Sequence, residues 1–310
     1  MRPASRILEL KAGSLSAGIN ASLGGALLWL SSVDDNGERW DWMRAMPEDH
    51  SFAPGEGVLS AACFPLVPFS NRIENAAFRF KNQFIDLQSN WPGNMSIHGI
   101  GWQKAWNVLK HSDTDLMLGL DMENPDWPWQ AGVTLIYSLR ANGLSMTLNL
   151  QNMSGEPMPS GLGFHPYFPK KPETGLLCRC QNVLLTDDRQ IPNGLLADHT
   201  ALRQLTEGML PAPGFDNALT GWDGHATITW AGNKARSSRH MVLTTEPETE
   251  FAVLYVPEKL DPNDEPFFCF EPVTHIPNAH NLQDQRYGPS GLLDLAPGAT
   301  HTFTADFAIG

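Results

Sequence analysis

Leu144-Ser145-Met146-Thr147-Leu148-Asn149-Leu150 alternates apolar and polar side chains, so that Leu144, Met146, Leu148 and Leu150 share one face. Side chains two positions apart point the same way in an extended chain, and this stretch reads as a half-buried β-strand. Just before it, Val133-Thr134-Leu135-Ile136-Tyr137-Ser138-Leu139 keeps the same period. Asn142-Gly143 stands between the two, a pair suited to the positive φ angles of a tight hairpin turn. The two segments are therefore expected to be antiparallel neighbours.

Working outward, the pattern returns in Phe78–Phe80, Leu116–Leu120, Ala226–Trp230, Phe251–Tyr255 and Phe303–Ile309, punctuated at short intervals by Gly and Pro. Helical periods are scarce. Alternating βαβ units are thereby disfavoured, and an all-β antiparallel sandwich is expected. No long linker, low-complexity tract or internal repeat interrupts the 310 residues. One domain spanning 1–310 is the expectation, a size that large all-β proteins reach with an ample core.

A formal net charge of −13 disfavours nucleic acid and anionic membrane, which need a basic footprint. The stretch from Met1 to Leu10 meets charge before any signal-like apolar run develops, and no later run is long enough to span a bilayer. A cytoplasmic protein without a membrane partner is expected. Cys63, Cys178, Cys180 and Cys269 are too few and scattered for a disulfide framework, and Cys178-Arg179-Cys180 lacks the spacing of a redox or zinc knuckle. They read as reduced and mostly buried, with Cys178 and Cys180 on one face of a strand.

Glu271 closes the apolar run Phe267-Phe268-Cys269-Phe270 and precedes Pro272, where a buried strand should hand over to a loop. A carboxylate with little water around it gains proton affinity, which suits either a structural ion pair or acid/base chemistry. Two histidines share that kind of setting, His98 before Gly99 and His165 before Pro166. Each taken alone is better explained by a satisfied core or turn histidine; with Glu271 they form an acid/base set.

The apolar strip Cys63–Phe69 delivers Asn71 and Arg72, whose forked guanidinium suits sugar hydroxyls or a phosphate, or simply ends a strand at the surface. Phe69, Trp91 and Trp102 are candidates for stacking on a pyranose, and equally for core. Glu271, His275 and His280 invite a metal reading, but Pro272 and Pro277 prevent the helix that presents ligands on one face. Gly99-Ile100-Gly101 lacks the third glycine of a dinucleotide loop, and no Gly-x-Ser-x-Gly elbow is present.

In these residues the chain resembles the aldose 1-epimerase (galactose mutarotase-like) family. Asn71-Arg72-Ile73, His98-Gly99, His165-Pro166-Tyr167-Phe168, Phe215-Asp216-Asn217 and Glu271-Pro272 look like that family's motifs in the same order, and the likeness runs from Gly24-Gly25 to Leu295-Ala296-Pro297-Gly298. The resemblance implies a supersandwich of large antiparallel sheets with the site in a concave face. It further implies Glu271 as general base, His165 as general acid, His98 as a donor near the reacting oxygens, and Asn71, Arg72 and Asp216 as sugar-binding residues.

The implied reaction is exchange of a hexose's α and β anomers by ring opening and reclosure, without metal, nucleotide or redox cofactor. Burial should raise the proton affinity of Glu271, and a nearby carboxylate should raise that of His165 and keep it protonated. Phe168 is followed by Pro169-Lys170 where mutarotases of free galactose often carry Asn-Leu, which leaves the sugar open. A hexose-6-phosphate epimerase, a glycoside hydrolase using Glu271 with Asp216, and a non-catalytic sugar binder are the alternatives. The expected partner is a small-molecule sugar, and the expected state a monomer or homodimer.

Overall fold

The computed structural model describes residues 7–47, 57–123, 125, 127–232, 238–260, 265–282 and 286–310. The reading of Met1 to Arg6 lies outside the described residues. Two eight-stranded antiparallel sheets dominate the fold. Ala131–Arg140 and Gly143–Asn152 pair along their whole length near the centre of the first sheet, with Asp115–Met122 on one side and Thr300–Ile309 on the other. Each strand expected from alternation is found, lengthened by at most three residues at an end.

The hairpin turn differs from the expectation by one residue. Arg140 pairs with Gly143, so Ala141 and Asn142 make the turn and Gly143 is already in the strand. Its glycine answers a different need: a Cβ there would collide with the carbonyl oxygen of Phe307 on the neighbouring strand. Among the described residues the only α-helix is Thr200–Thr206.

The second sheet runs in the order Pro192–Leu196, Asn182–Thr186, Phe215–Thr220, Phe251–Val256, Phe267–Val273, Gly163–Phe164 and Pro65–Leu66, with Tyr167–Pro169 also paired to Phe267–Val273. Alternation along Phe267–Val273 assigns two different cores. Phe268 and Phe270 join Leu148, Phe303 and Phe307 in the large core between the sheets, whereas Phe267, Cys269 and Val273 face a second cluster with Phe64, Ile97, Trp102 and Tyr167. An apolar run without visible alternation is what burial on both faces produces.

Glu271 lies inside this strand, not at its end, because the strand continues through Pro272 to Val273. Pro272 has no N–H to donate, and the neighbouring strand breaks after Phe164, leaving no ladder bond there for the proline to lose. The cysteines are free; Cys178 ends the strand Gly175–Cys178, and Cys180 lies beyond it, partly buried against the main core.

Candidate active site

The register that pairs Gly163 with Val273 and Tyr167 with Cys269 sets His165 opposite Glu271 across the strand break. His165 Nε2 lies 3.3 Å from Glu271 Oε1. Both side chains are buried, and His165 Nδ1 and Glu271 Oε2 have no hydrogen-bond partner in the protein. Two polar atoms without partners beside a buried contact have a cost of order 1–3 kcal/mol each unless a ligand or water meets them, which makes the pair a candidate functional site.

The same register builds two rows across the second sheet. Ala218, Val253, Glu271 and His165 form one; Asp216, Tyr255, Cys269 and Tyr167 form the next. Asp216 is thus held two strands from the strand of Glu271. Burial pushes the Glu271 carboxyl well above the ordinary carboxylate range, the Asp216 charge pushes it further, and Arg72 partly opposes both. Burial also raises Asp216, again against Arg72.

His165 departs from expectation. Its pKa is pushed down to about 3, mainly by burial and then by the positive charge of Arg44. The expectation that a nearby carboxylate keeps His165 protonated therefore fails, because loss of hydration outweighs the pair attraction. Burial favours the neutral form of both partners, so the proton they share rests on Glu271.

His98 and Asn71 hold each other. Both have positive φ, 59° and 53°; the His98 N–H donates to the Asn71 carbonyl at 2.9 Å, and the Asn71 N–H donates to His98 Nδ1 at 3.1 Å. An accepting Nδ1 assigns the imidazole proton to Nε2, leaving it as a donor. The next residue has to be glycine, since a Cβ on Gly99 (φ 68°) would strike the backbone of Val67. Burial, then His165 and Arg72, hold His98 well below the usual histidine range. Its ring meets that of His165 edge-on, centroids 5.2 Å apart.

Arg72 is seated beside this turn, its backbone N–H donating to Asn71 Oδ1 at 2.8 Å and its carbonyl accepting from the Asn278 N–H at 2.8 Å. Asn71, Arg72, Asp216, Val253, Thr186 and Gln190 are among the residues around an open pocket next to the Glu271 row. Of the aromatic candidates, Phe69 is fully buried and Trp102 nearly so, so neither is available to stack on a sugar. Trp102 stacks on Phe64 at 5.8 Å and donates from Nε1 to the Ile97 and Gly99 carbonyls, bracing the His98 loop; Trp91 is half-buried and pairs with Met95.

His275 does not approach Glu271 as a co-ligand. Its Nε2 accepts from the Ser70 N–H at 3.0 Å and its Nδ1 donates to the Ile276 carbonyl at 2.7 Å, while His280 packs against the rings of Phe69 and Phe78. Among the described residues no group of three or more His, Cys, Asp and Glu is placed to hold a metal ion, and no helix is long and apolar enough to cross a membrane.

Sequence reasoning missed Arg44. Its guanidinium lies 3.9 Å from the Tyr167 ring centroid and 4.4 Å from that of Phe267, and Nη2 donates to the carbonyls of Leu59 and Ala61. Tyr167 in turn stacks on His165 at 4.7 Å. Asn90 was missed too: it bonds the Ile97 N–H and carbonyl and so fixes the strand leading to His98. Neither stands in a recognisable motif, and only the long-range packing shows their place.

Comparison with known proteins agrees with this architecture. The family profile described as Aldose 1-epimerase matches residues 6–308. YphB of Escherichia coli (strain K12), an uncharacterized protein, is 30% identical over 266 residues, 80% of this chain and 85% of its own. A crystal structure from Escherichia coli K12, whose name gives aldose 1-epimerase as a provisional assignment, superposes with a TM-score of 0.83 at 25% identity, covering 99% of both chains. A galactose mutarotase-like protein of Clostridium acetobutylicum also reaches 0.83, at 20% identity over 99% of this chain and 95% of its own, and supports the fold alone.

Proposed function

The chain belongs to the aldose 1-epimerase family, and on that premise we propose that it interconverts the α and β anomers of a sugar, with Glu271 and His165 exchanging the protons. The observation that carries this is the buried 3.3 Å contact between them, each with a polar atom left unpartnered. Anomer exchange needs a base for the O1 hydroxyl and an acid for the ring oxygen at the same moment, which one carboxylate and one imidazole supply.

Burial favours the uncharged pair, carboxylic acid and neutral imidazole. Passage of the shared proton to His165 produces the active form, a carboxylate and an imidazolium, and the positive charge of Arg72 favours it. Glu271 then takes the O1 proton while His165 gives its proton to the ring oxygen. The C1–O5 bond breaks, C1 becomes the aldehyde carbonyl, and the pair is again uncharged. Rotation about C1–C2 and the reverse transfers close the ring as the other anomer. The buried setting therefore stabilises the enzyme's charge state at the open-chain stage, the less stable stage of the sugar.

His98 Nε2–H is the donor that steadies developing charge on the reacting oxygens, and Asn71, Arg72 and Asp216 hold the sugar's hydroxyls. One guanidinium and one carboxylate beside the pocket suit an uncharged sugar better than a sugar phosphate. Glu271→Gln is expected to keep sugar binding by calorimetry and to lose most anomer exchange by NMR. Exchange at the wild-type rate in that variant excludes Glu271 as the base, and a strong preference for glucose 6-phosphate over glucose and galactose overturns the uncharged-sugar assignment.

A further inference from the structure

The face of the second sheet that carries Glu271 opens toward solvent from one row to the next. Ala218, Val253, Glu271 and His165 are all buried. In the adjoining row Cys269 and Tyr167 are buried as well, but Asp216 and Tyr255 are only half-buried. Tyr255 is the one residue of Phe251–Val256 that escapes burial, and it shares a face with Val253, which borders the pocket. It stands directly opposite Asp216 and diagonal to Glu271, whose own partner is Val253. Opposed side chains have Cβ atoms roughly 5 Å apart and diagonal ones roughly 7–8 Å. A sugar with C1 at Glu271 and a hydroxyl at Asp216 therefore passes Tyr255.

The ring of Tyr255 is held in place. It packs on Phe267 with centroids 6.3 Å apart; Phe267 packs on Tyr167 at 5.2 Å, and Tyr167 stacks on His165 at 4.7 Å. Burial, and then the charge of Asp216, push the Tyr255 phenol up from its ordinary value, so its hydroxyl stays protonated and able to donate. Asp216 as a carboxylate can only accept. A sugar hydroxyl both gives and takes a hydrogen bond. One that donates to Asp216 still needs a donor for its own oxygen, and Tyr255 supplies that donor from the paired position on the next strand.

We infer that Tyr255 is a specificity-determining residue of this site: its hydroxyl and the Asp216 carboxylate together hold the sugar hydroxyl on C4, the carbon across the ring from C1. The inference rests on the anomer-exchange reading for the placement of C1 at Glu271. Tyr255 acts on binding and on the choice between C4 configurations, and takes no part in the proton transfers at O1 and the ring oxygen.

The test measures anomer exchange by NMR for glucose and galactose, which differ only at C4, and for 4-deoxyglucose, with the wild-type protein and with Tyr255→Phe, which keeps the ring on Phe267. Loss of one hydrogen bond corresponds to a KM about fivefold higher for the preferred hexose, with kcat and the 4-deoxyglucose kinetics little changed. Melting temperatures report that the variant is folded. A KM unchanged for both hexoses, an equal loss for 4-deoxyglucose, or a fall in kcat at constant KM overturns the assignment. Calorimetry with the methyl glycosides of glucose and galactose, which cannot mutarotate, keeps the two readings apart. Methyl glycoside binding that Tyr255→Phe weakens, without anomer exchange of any sugar by the wild type, upholds the Tyr255 contact and overturns the mutarotase reading instead.

Discussion

Gly143–Asn152 and Phe267–Val273 are both central strands of eight-stranded sheets, yet they meet the solvent differently. The first alternates fully and half-buried side chains, with its apolar row against the core between the sheets. The second is buried at every position, because its other face is roofed by the cluster around Phe64, Trp102 and Tyr167. A polar side chain on the half-buried face of the first strand, such as Thr147 or Asn149, keeps access to water. Glu271 on the roofed face of the second has lost it, and its chemistry follows from that loss.

The largest expected effect separates the two strands by function. Glu271→Gln should lower the rate of anomer exchange by roughly 10²–10⁴-fold, the range of a positioned acid/base group, with little change in melting temperature. Leu148→Ala, in the fully buried row of the first strand, should do the opposite. It opens a cavity and costs about 2–5 kcal/mol of stability while kcat at 25 °C holds. Denaturant unfolding and NMR exchange on both variants check the contrast. A Leu148→Ala protein with normal stability, or a Glu271→Gln protein that unfolds early, erases it.

His275 is a buried histidine outside the Glu271–His165 pair. Burial holds His275 down at about 4, although its bond to the Ile276 carbonyl works the other way. The unfolded chain takes up this proton near 6.5, so between pH 6.5 and 4 the unfolded state binds more protons and stability falls as pH falls. The difference amounts to about 3 kcal/mol across that window. His275→Gln should be less stable than wild type at pH 7, with the gap closing toward pH 4. A gap independent of pH sinks this account. Glu271, raised by the same burial, has the reverse sign: its contribution is lost as pH rises above the unfolded carboxylate range.

The two strands also show why the fold was more legible than the site. Alternation at Leu144–Leu150 reports a face directly, so strand positions and their antiparallel pairing follow from local sequence, and only the hairpin turn slips by one residue. In Phe267–Phe270 the second burying layer comes from residues about one hundred to two hundred positions earlier, such as Tyr167 and Phe64, and no local pattern encodes it. Glu271, His165, His98, Asn71, Arg72 and Asp216 could be named from ordered motifs. The charge state of His165 could not, because it depends on Arg44 and on total burial. Phe69 and Trp102 looked like sugar platforms for the same reason: an aromatic residue near a motif reads alike whether it faces a ligand or the core.

Arg44 gives the smallest and most discriminating effect. Its guanidinium covers Tyr167, Tyr167 covers His165, and its charge depresses the His165 pKa. Arg44→Met keeps an apolar stem over the rings and removes the charge and both carbonyl bonds. The imidazole titration of His165, followed by NMR, should then move up from about 3. Anomer exchange should fall by about tenfold, because the stack that aims the ring loosens and the Leu59 and Ala61 carbonyls lose a donor. Arg44→Lys separates the two causes: it restores charge without a planar fork. If charge is what matters, the lysine variant keeps the His165 titration low; if stacking matters, it loses activity while the titration stays low. A His165 titration unmoved in Arg44→Met shows that burial alone sets it, and the roofed strand then needs no help from charge to keep its histidine neutral.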